Sequence, residues 1–193
     1  MLQSKKHITF GKKFRTYKFK ILNIMDVTAR LYAFRYDNLK AYLFAALFIA
    51  GNLLLPQLCH LAPNGGLMLL PIYFFTLIAA YKYGLYVGLL TAVFSPLCNH
   101  WLFGMPIAEM LPVIMFKSVV LVVAASLVAK KFNKVSIVAI ILAVLAYQFA
   151  GVLAEWLMVK DFTLALQDFR IGFPGILFQI FGGFLVLKAI QKY

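Results

Sequence analysis

Polar side chains interrupt several long apolar stretches of this sequence, and their types suit the binding of a small polar molecule. Lys117 lies within one apolar stretch, Gln148 and Glu155 lie in the next, and Gln179 lies near the middle of the last. A separation of seven residues places Gln148 and Glu155 on one face of a helix. Because polar groups are costly in hydrocarbon, these residues are the first candidates for a functional role.

Lys117 makes the strongest demand on its surroundings, since a lone ammonium near the middle of a bilayer costs at least about 2.5 kcal/mol. We expect it to pair with a carboxylate or with an anionic group of a ligand, or to lose its proton. A structural salt bridge is the alternative to a role in ligand binding or transport.

Further polar residues gather at the end of the apolar stretches that we predict to face the outside. The predicted polar ring consists of Asn99, His100, Glu109, Gln148, Glu155 and Lys117. Aromatic walls would come from Trp101, Tyr147, Trp156 and Phe173. Such a ring suits a pocket for a small polar or aromatic-ring molecule. Alternatively, the two tryptophans belong to an interfacial aromatic belt, and Glu109 and Glu155 reach the outer water.

No set of residues in the sequence predicts catalysis. There is no phosphate-binding Gly-x-x-x-x-Gly-Lys-Ser/Thr loop, no His-Glu-x-x-His and no Gly-x-Ser-x-Gly. His100 and Glu109 could act as an acid–base pair, but no nucleophile lies near them in sequence. His60 and His100 lack metal-ligand spacing, so we expect neither a metal nor a cofactor. Cys59 and Cys98 are predicted to be two small buried thiols, and a disulfide on an oxidising outer face is the alternative.

The elements that must position the polar residues are six apolar spans. Long apolar runs are predicted to be helices, because unpaired backbone groups are too costly in hydrocarbon. The chain is 64% hydrophobic and 13% charged, which agrees with a polytopic all-α membrane protein of six transmembrane helices. The predicted spans are Ala41–Leu58, Met68–Tyr83, Leu85–Phe103, Ala108–Ala129, Ser136–Met158 and Ile171–Leu187.

The positive charges predict the orientation of these spans. Of the 19 Lys and Arg residues, ten precede Ala41 and six more would lie on the same side of the membrane. Those six are Lys82, Lys130, Lys131, Lys134, Lys188 and Lys192. Positive residues favour the cytoplasmic side, so both termini are predicted to be cytoplasmic in a bacterial plasma membrane. A nucleic-acid partner is not expected, because the basic residues flank membrane spans.

The chain divides into a basic segment, residues 1–38, and a transmembrane domain, residues 39–193. The basic segment interleaves Lys and Arg with aromatic and aliphatic residues, so it could lie on anionic membrane lipid. A solvated tail is the alternative, as is an upstream extension of a protein whose translation begins at Met25. Within the first span, Ala46 and Ala50 have the small-x-x-x-small spacing that lets helix backbones approach closely. Packing inside the bundle would explain the same spacing.

The layout of residues 39–188 resembles the membrane-embedded substrate-binding subunit, or S component, of energy-coupling factor vitamin transporters. The resemblance depends on the six spans, on Ala46-x-x-x-Ala50 and on the stretch from Leu70-Pro71-Ile72 through the turn at Gly84 to Ser95-Pro96. The basic segment departs from the family pattern.

This resemblance implies a subunit that binds a vitamin or related micronutrient from outside. It would then dock on a transmembrane T component that carries two ATPase subunits. The face with Ala46 and Ala50 would be the docking surface, and Pro63-Asn64-Gly65-Gly66 would form a lid. The predicted substrate-binding residues are Asn64, Asn99, His100, Trp101, Lys117, Tyr147, Gln148, Glu155 and Gln179. A membrane-embedded enzyme, or an accessory membrane protein without a transported ligand, is the alternative.

Overall fold

The computed structural model of the protein describes residues 26–27, 31, 34 and 36–191. The predictions for the basic segment, including the alternative start at Met25, fall largely outside the described residues. In chain order the helices are α1 (Leu39–Cys59), α2 (Gly65–Leu69), a 3-10 turn (Pro71–Tyr73), α3 (Phe74–Tyr83), α4 (Leu85–Phe103), α5 (Leu111–Phe132), α6 (Ile137–Val159), α7 (Phe162–Ala165), α8 (Gln167–Arg170), α9 (Phe173–Leu177), a π-helical turn (Phe178–Gly182) and α10 (Gly183–Ala189).

The architecture is that of an all-α membrane protein. Among the described residues, the four helices α1, α4, α5 and α6 are long enough and apolar enough to cross a membrane. They match four of the six predicted spans to within a few residues. Within the described residues, strand pairing is limited to two antiparallel residue pairs between β1 (Asp26–Val27) and β2 (Val135–Ser136).

The predicted second and sixth spans are built differently from a single regular helix. Leu70 has a left-handed backbone, with φ of 47°, and it separates α2 from the 3-10 turn that leads into α3. Pro71 disfavours a right-handed α conformation at the residue before it, so α2 does not continue through Leu70. In the sixth segment, Phe173–Ala189, a π-helical turn interrupts the α-helix. Four of the six predicted spans are thus single long helices, and the second and the sixth are interrupted.

The helices bury their polar side chains and expose large apolar ones. On α1 the buried positions are Ala41, Ala45, Phe48, Asn52 and Pro56, which follow a helical repeat. The exposed face of α1 carries Leu43, Leu47, Leu54 and Leu58. The same holds for α5, where Lys117 and Ser118 are buried and Leu127 is exposed. This arrangement suits a lipid solvent, in which apolar surface costs nothing and polar surface is expensive.

The short helix α3 lies at the centre of the bundle. It contacts α1, α4, α5 and α10, and all of its residues except Phe75 are buried. At Gly84, with φ of 92°, the chain turns tightly from α3 into α4, at the glycine turn that the sequence predicts. We call the end of the bundle formed by residues 60–73, 104–110 and 160–172 the Asn64 end, and the opposite end the Lys134 end.

Candidate binding site

Three charged side chains meet inside the bundle near the Asn64 end. The ammonium of Lys117 on α5 lies 2.5 Å from a carboxylate oxygen of Glu155 on α6. The same ammonium lies 3.2 Å from a carboxylate oxygen of Asp168, which belongs to α8. The side chains of Lys117, Glu155 and Asp168 are only 4%, 9% and 13% exposed. Lys117 therefore has the carboxylate partner that its position predicts, and a second one that the sequence analysis did not name.

Gly151 lets the lysine reach its partners. A Cβ at Gly151 would lie 2.6 Å from Cε of Lys117 and 2.8 Å from its Cγ. The aliphatic part of Lys117 thus lies directly on the backbone of α6, one helical turn from Glu155. No larger residue fits at Gly151 unless the lysine moves.

A second polar group lies on the same face of α6. The Tyr147 hydroxyl donates to Oε1 of Gln179 at 2.8 Å, and Nε2 of Gln148 donates to the Tyr147 oxygen at 3.1 Å. Nε2 of Gln179 donates to the carbonyl oxygen of Leu70 at 3.4 Å. All three side chains are fully buried. Gln179 belongs to the π-helical turn, a type of irregularity that is frequent at functional sites.

The two groups form one cluster. The Tyr73 ring packs against Tyr147, with ring centres 5.1 Å apart. Tyr147, Gly151 and Glu155 follow one another at four-residue intervals on the buried face of α6, so the two groups are neighbours on one helix. The structure therefore brings together five of the predicted binding residues, which are Lys117, Tyr147, Gln148, Glu155 and Gln179. We call these five residues and Asp168 the Lys117 cluster.

Two buried polar atoms in or beside the cluster have no hydrogen-bond partner among the described residues. Oε1 of Gln148 is buried and has no hydrogen-bond partner among the described residues, and neither does the hydroxyl of Ser118, which follows Lys117. Buried polar atoms are normally satisfied, so each unpaired atom calls for an explanation. A bound polar molecule would supply the partner.

The first loop of the Asn64 end packs on the sixth segment. A Cβ at Gly175 would lie 2.6 Å from the carbonyl oxygen of Leu69, so backbone meets backbone there. Gly65 is equally restricted, since its Cβ would lie 2.0 Å from the carbonyl oxygen of Cys59. Together with the bond from Gln179 to Leu70, these contacts fix the loop beside the Lys117 cluster. Gly65 is thus required by close packing, within the segment that the family resemblance implies to be a lid.

Asn99 lies in a different buried network, between α1 and α4. Pro56 has no amide hydrogen, so the carbonyl of Asn52 four residues earlier lacks its helical donor. Nδ2 of Asn99 donates to that carbonyl at 2.9 Å and to the Ser95 carbonyl at 3.1 Å. The Asn52 amide in turn donates to the hydroxyls of Thr76 and Ser95. This network joins three helices, and it accounts for Asn99 without a ligand.

The remaining predicted binding residues lie on the surface of the Asn64 end. Asn64 is exposed and has a left-handed backbone, with φ of 56°, before α2. His100 is half-buried, and its Nδ1 lies 2.7 Å from the Pro106 carbonyl oxygen. Trp101 is 88% exposed, and Trp156 packs edge-on against Phe162. In the described part of the chain none of these four residues forms a hydrogen bond with the Lys117 cluster.

On α1 the small residues divide between two faces. Ala41 and Ala45 are buried, whereas Ala46 and Ala50 are exposed. Packing inside the described bundle therefore explains the first pair and not the second. Cys59 and Cys98 are both free thiols. Among the described residues, no three His, Cys, Asp or Glu side chains come together as metal ligands.

Comparison of the chain with protein-family models, with curated proteins and with solved structures finds no match.

Two residues of these polar networks, Asp168 and Asn52, were not predicted from the sequence. Asp168 stands 51 residues from Lys117, in a loop that carries no motif. Its position between Gln167 and Arg170, both polar, resembles an ordinary solvated turn. Asn52 could have been found, since a Pro four residues downstream in a helix leaves its carbonyl in need of a donor.

Proposed function

We propose that this chain is the membrane-embedded substrate-binding subunit of an energy-coupling factor importer, and that it binds a vitamin or related micronutrient. The observation that carries the proposal is the Lys117 cluster, a buried polar site formed by α5, α6, α8 and the sixth segment. Charged groups at such depth are costly and mark ligand or ion pathways in membrane proteins.

Two further features support a substrate site. The loop 60–70 packs on the sixth segment beside the cluster, where it could cover a ligand. Moreover, the unpaired acceptor of Gln148 gives the cluster free binding capacity. An importer subunit would also explain why the sequence has no phosphate-binding loop, since its energy would come from two ATPase partners on a T component.

The membrane topology belongs to the same proposal. We infer that α3 with the preceding turn and the segment Phe173–Ala189 cross the membrane as the second and sixth spans. The Asn64 end would then face the outside of a bacterial plasma membrane, and the Lys134 end would face the cytoplasm with both termini. The lysines near the Lys134 end support this orientation.

Native mass spectrometry of the chain purified in lipid nanodiscs tests the proposal. We expect a vitamin-sized molecule to co-purify, and we expect uptake of that molecule only in cells that also express a T component and two ATPases. Protein without ligand across many preparations would contradict a substrate-binding subunit. Turnover of a lipid by the isolated chain would support the membrane-enzyme alternative instead.

A substitution of Glu155 tests the position of the site. Glu155→Gln should weaken binding of the co-purified molecule at least about tenfold, because it removes a buried charge from the cluster. Gln148→Ala should weaken it less, since a neutral hydrogen bond contributes only about 1 kcal/mol. Isothermal titration of both purified variants measures the effect, and thermal unfolding identifies any loss of folding. Unchanged affinity in folded Glu155→Gln would move the site away from the Lys117 cluster.

A further inference from the structure

The Lys117 cluster holds more negative than positive charge. Within residues 36–191, Lys117 is the cation that contacts Glu155 and Asp168, and it contacts both. One ammonium between two carboxylates leaves one negative charge in excess. All three side chains are largely removed from solvent, where an uncompensated charge is strongly disfavoured. A second cation at this place would complete the charge balance.

Among the six residues of the Lys117 cluster, the unpaired side-chain atom is a hydrogen-bond acceptor. Gln148 uses its amide nitrogen as a donor to Tyr147, so the atom that remains unpaired is the carbonyl oxygen Oε1. Gln148 is fully buried, and it lies on the same face of α6 as Gly151 and Glu155. The Lys117 side chain packs against Gly151 on that face. A ligand that donates hydrogen bonds would satisfy Gln148, whereas a ligand that only accepts them would not.

The two contacts of Lys117 differ in length. The Glu155 contact is 2.5 Å and the Asp168 contact is 3.2 Å. Asp168 lies on the short helix α8 in the 160–172 loop, and its side chain is the most exposed of the three. Of the two carboxylates, Asp168 is therefore the one that a second cation can reach with the smaller change to the bundle.

We propose that the substrate is a small organic cation, a vitamin-sized heterocycle or amine that carries one positive charge and N–H donors. This inference rests on the proposed function and names the substrate class of that site. The positive group pairs with Asp168, Glu155 keeps Lys117, and a donor of the ligand bonds to Oε1 of Gln148. An anionic ligand would meet an excess of like charge, and a neutral ligand would leave the excess uncompensated.

A charge-matched panel of small molecules tests this proposal without knowledge of the natural ligand. The full chain in lipid nanodiscs is incubated with an equimolar mixture of thiamine, pyridoxamine, pyridoxine, nicotinamide, nicotinate and biotin. Retained molecules are measured by mass spectrometry after washing. Pyridoxamine and pyridoxine are the matched pair, since they differ by an amine in place of a hydroxyl. We expect thiamine or pyridoxamine to be retained, and pyridoxamine at least about tenfold more than pyridoxine.

Two Asp variants locate the preference. Asp168→Asn should lower the retention of the cation at least about tenfold. Asp161→Asn is the control, because Asp161 lies in the same loop, is exposed and caps α7 through the amides of Thr163 and Leu164. It should leave retention unchanged. If Asp168→Asn fails to fold, the proposal is tested by whether the unmodified chain retains the cations of the panel in preference to its neutral and anionic members.

The outcomes separate this inference from the function on which it rests. Retention of pyridoxine, nicotinamide, nicotinate or biotin in preference to the cations would overturn the substrate class and leave the binding function intact. Equal cation retention by folded Asp168→Asn would overturn the assigned site. Retention of no member of the panel would count against both the substrate class and the binding function.

Discussion

At the scale of single residues, Lys117 is the shared partner of the carboxylates inside the bundle. Its ammonium contacts two carboxylates, that of Glu155 on α6 and that of Asp168 on α8. Removal of one partner of a buried ion pair leaves an uncompensated charge, which costs more than the pair itself contributes. The lysine is the shared partner, so its loss should be the most severe of the three.

We therefore predict that Lys117→Met destabilises the protein by about 3–5 kcal/mol. The triple variant Lys117→Met/Glu155→Gln/Asp168→Asn should recover most of that loss, because it removes the unpaired charges together. Unfolding in detergent by heat or by a denaturing surfactant measures both. Lys130→Met, an exposed lysine near the Lys134 end, is the control and should change stability little. A triple variant as unstable as the single one would show that charge is not the cause.

Gly151 gives a prediction about shape rather than charge. In Gly151→Ala the new methyl would lie 2.6 Å from Cε of Lys117, so the lysine must move away from α6. Overpacking of this kind typically costs about 1–3 kcal/mol. Gly182→Ala is the matched control on the sixth segment, where the nearest side-chain atom is 3.1 Å away and belongs to Phe74. Thermal unfolding should show a larger loss of stability in Gly151→Ala than in Gly182→Ala. Equal losses would contradict the close packing of Lys117 on Gly151.

The sequence predicted that Lys117 needs a partner, and it did not predict which ones. The need follows from one residue and the cost of a charge in hydrocarbon. The identity of the partners depends on how α6 and the 160–172 loop pack against α5, which involves Gly151 and a contact across 51 residues. Residue types carry no information about such a tertiary contact.

At the scale of elements, the spans were predictable where a single helix runs through apolar sequence. Helices α1, α4, α5 and α6 follow from length and hydropathy alone. The breaks in the second and sixth segments were less predictable from the sequence. Pro71 is a local signal for the first break, although one continuous span was predicted from Met68 to Tyr83. The π-helical turn at Gln179 has no comparable local signal, and the hydrogen bonds of Gln179 in this turn are tertiary ones, to Tyr147 and Leu70.

Helix α1 offers a prediction about how a proline is tolerated in a bundle. Asn99 donates to the Asn52 carbonyl that Pro56 leaves without a helical donor. Pro56→Ala restores that donor, so Asn99 should then matter less. We predict that Asn99→Ala costs about 1–2 kcal/mol in the native background and about 1 kcal/mol less in the Pro56→Ala background. A double-mutant cycle on unfolding free energies measures the coupling, and additive effects would show that Asn99 stabilises the bundle by another route.

At the scale of the whole molecule, lipid acts as the solvent that sorts side chains. The chain exposes large apolar residues along α1, α5 and α6 and buries Lys117, Asn52, Gln148 and Gln179. Lipid provides no hydrophobic drive for helices to associate, so helix contacts depend on close packing and on buried hydrogen bonds. Small residues that remain on the outer surface are therefore the natural places for a second protein to approach.

The exposed alanines of α1 form the proposed docking surface for the T component. Ala46 and Ala50 lie one turn apart on the exposed face of α1, while their neighbours Ala41 and Ala45 already pack inside the bundle. An indole on that face would prevent the close approach of another helix backbone. Ala46→Trp and Ala50→Trp should each abolish uptake by the complete importer and leave ligand affinity within about twofold of the unmodified chain.

Leu127→Trp on α5 is the control, because it enlarges an exposed apolar position on another helix. It should support normal uptake. Co-purification of the T component separates the cases, since only the α1 variants should lose it. Normal uptake by both Ala46→Trp and Ala50→Trp would remove α1 as the docking surface, because helix backbones cannot come close across an intervening indole.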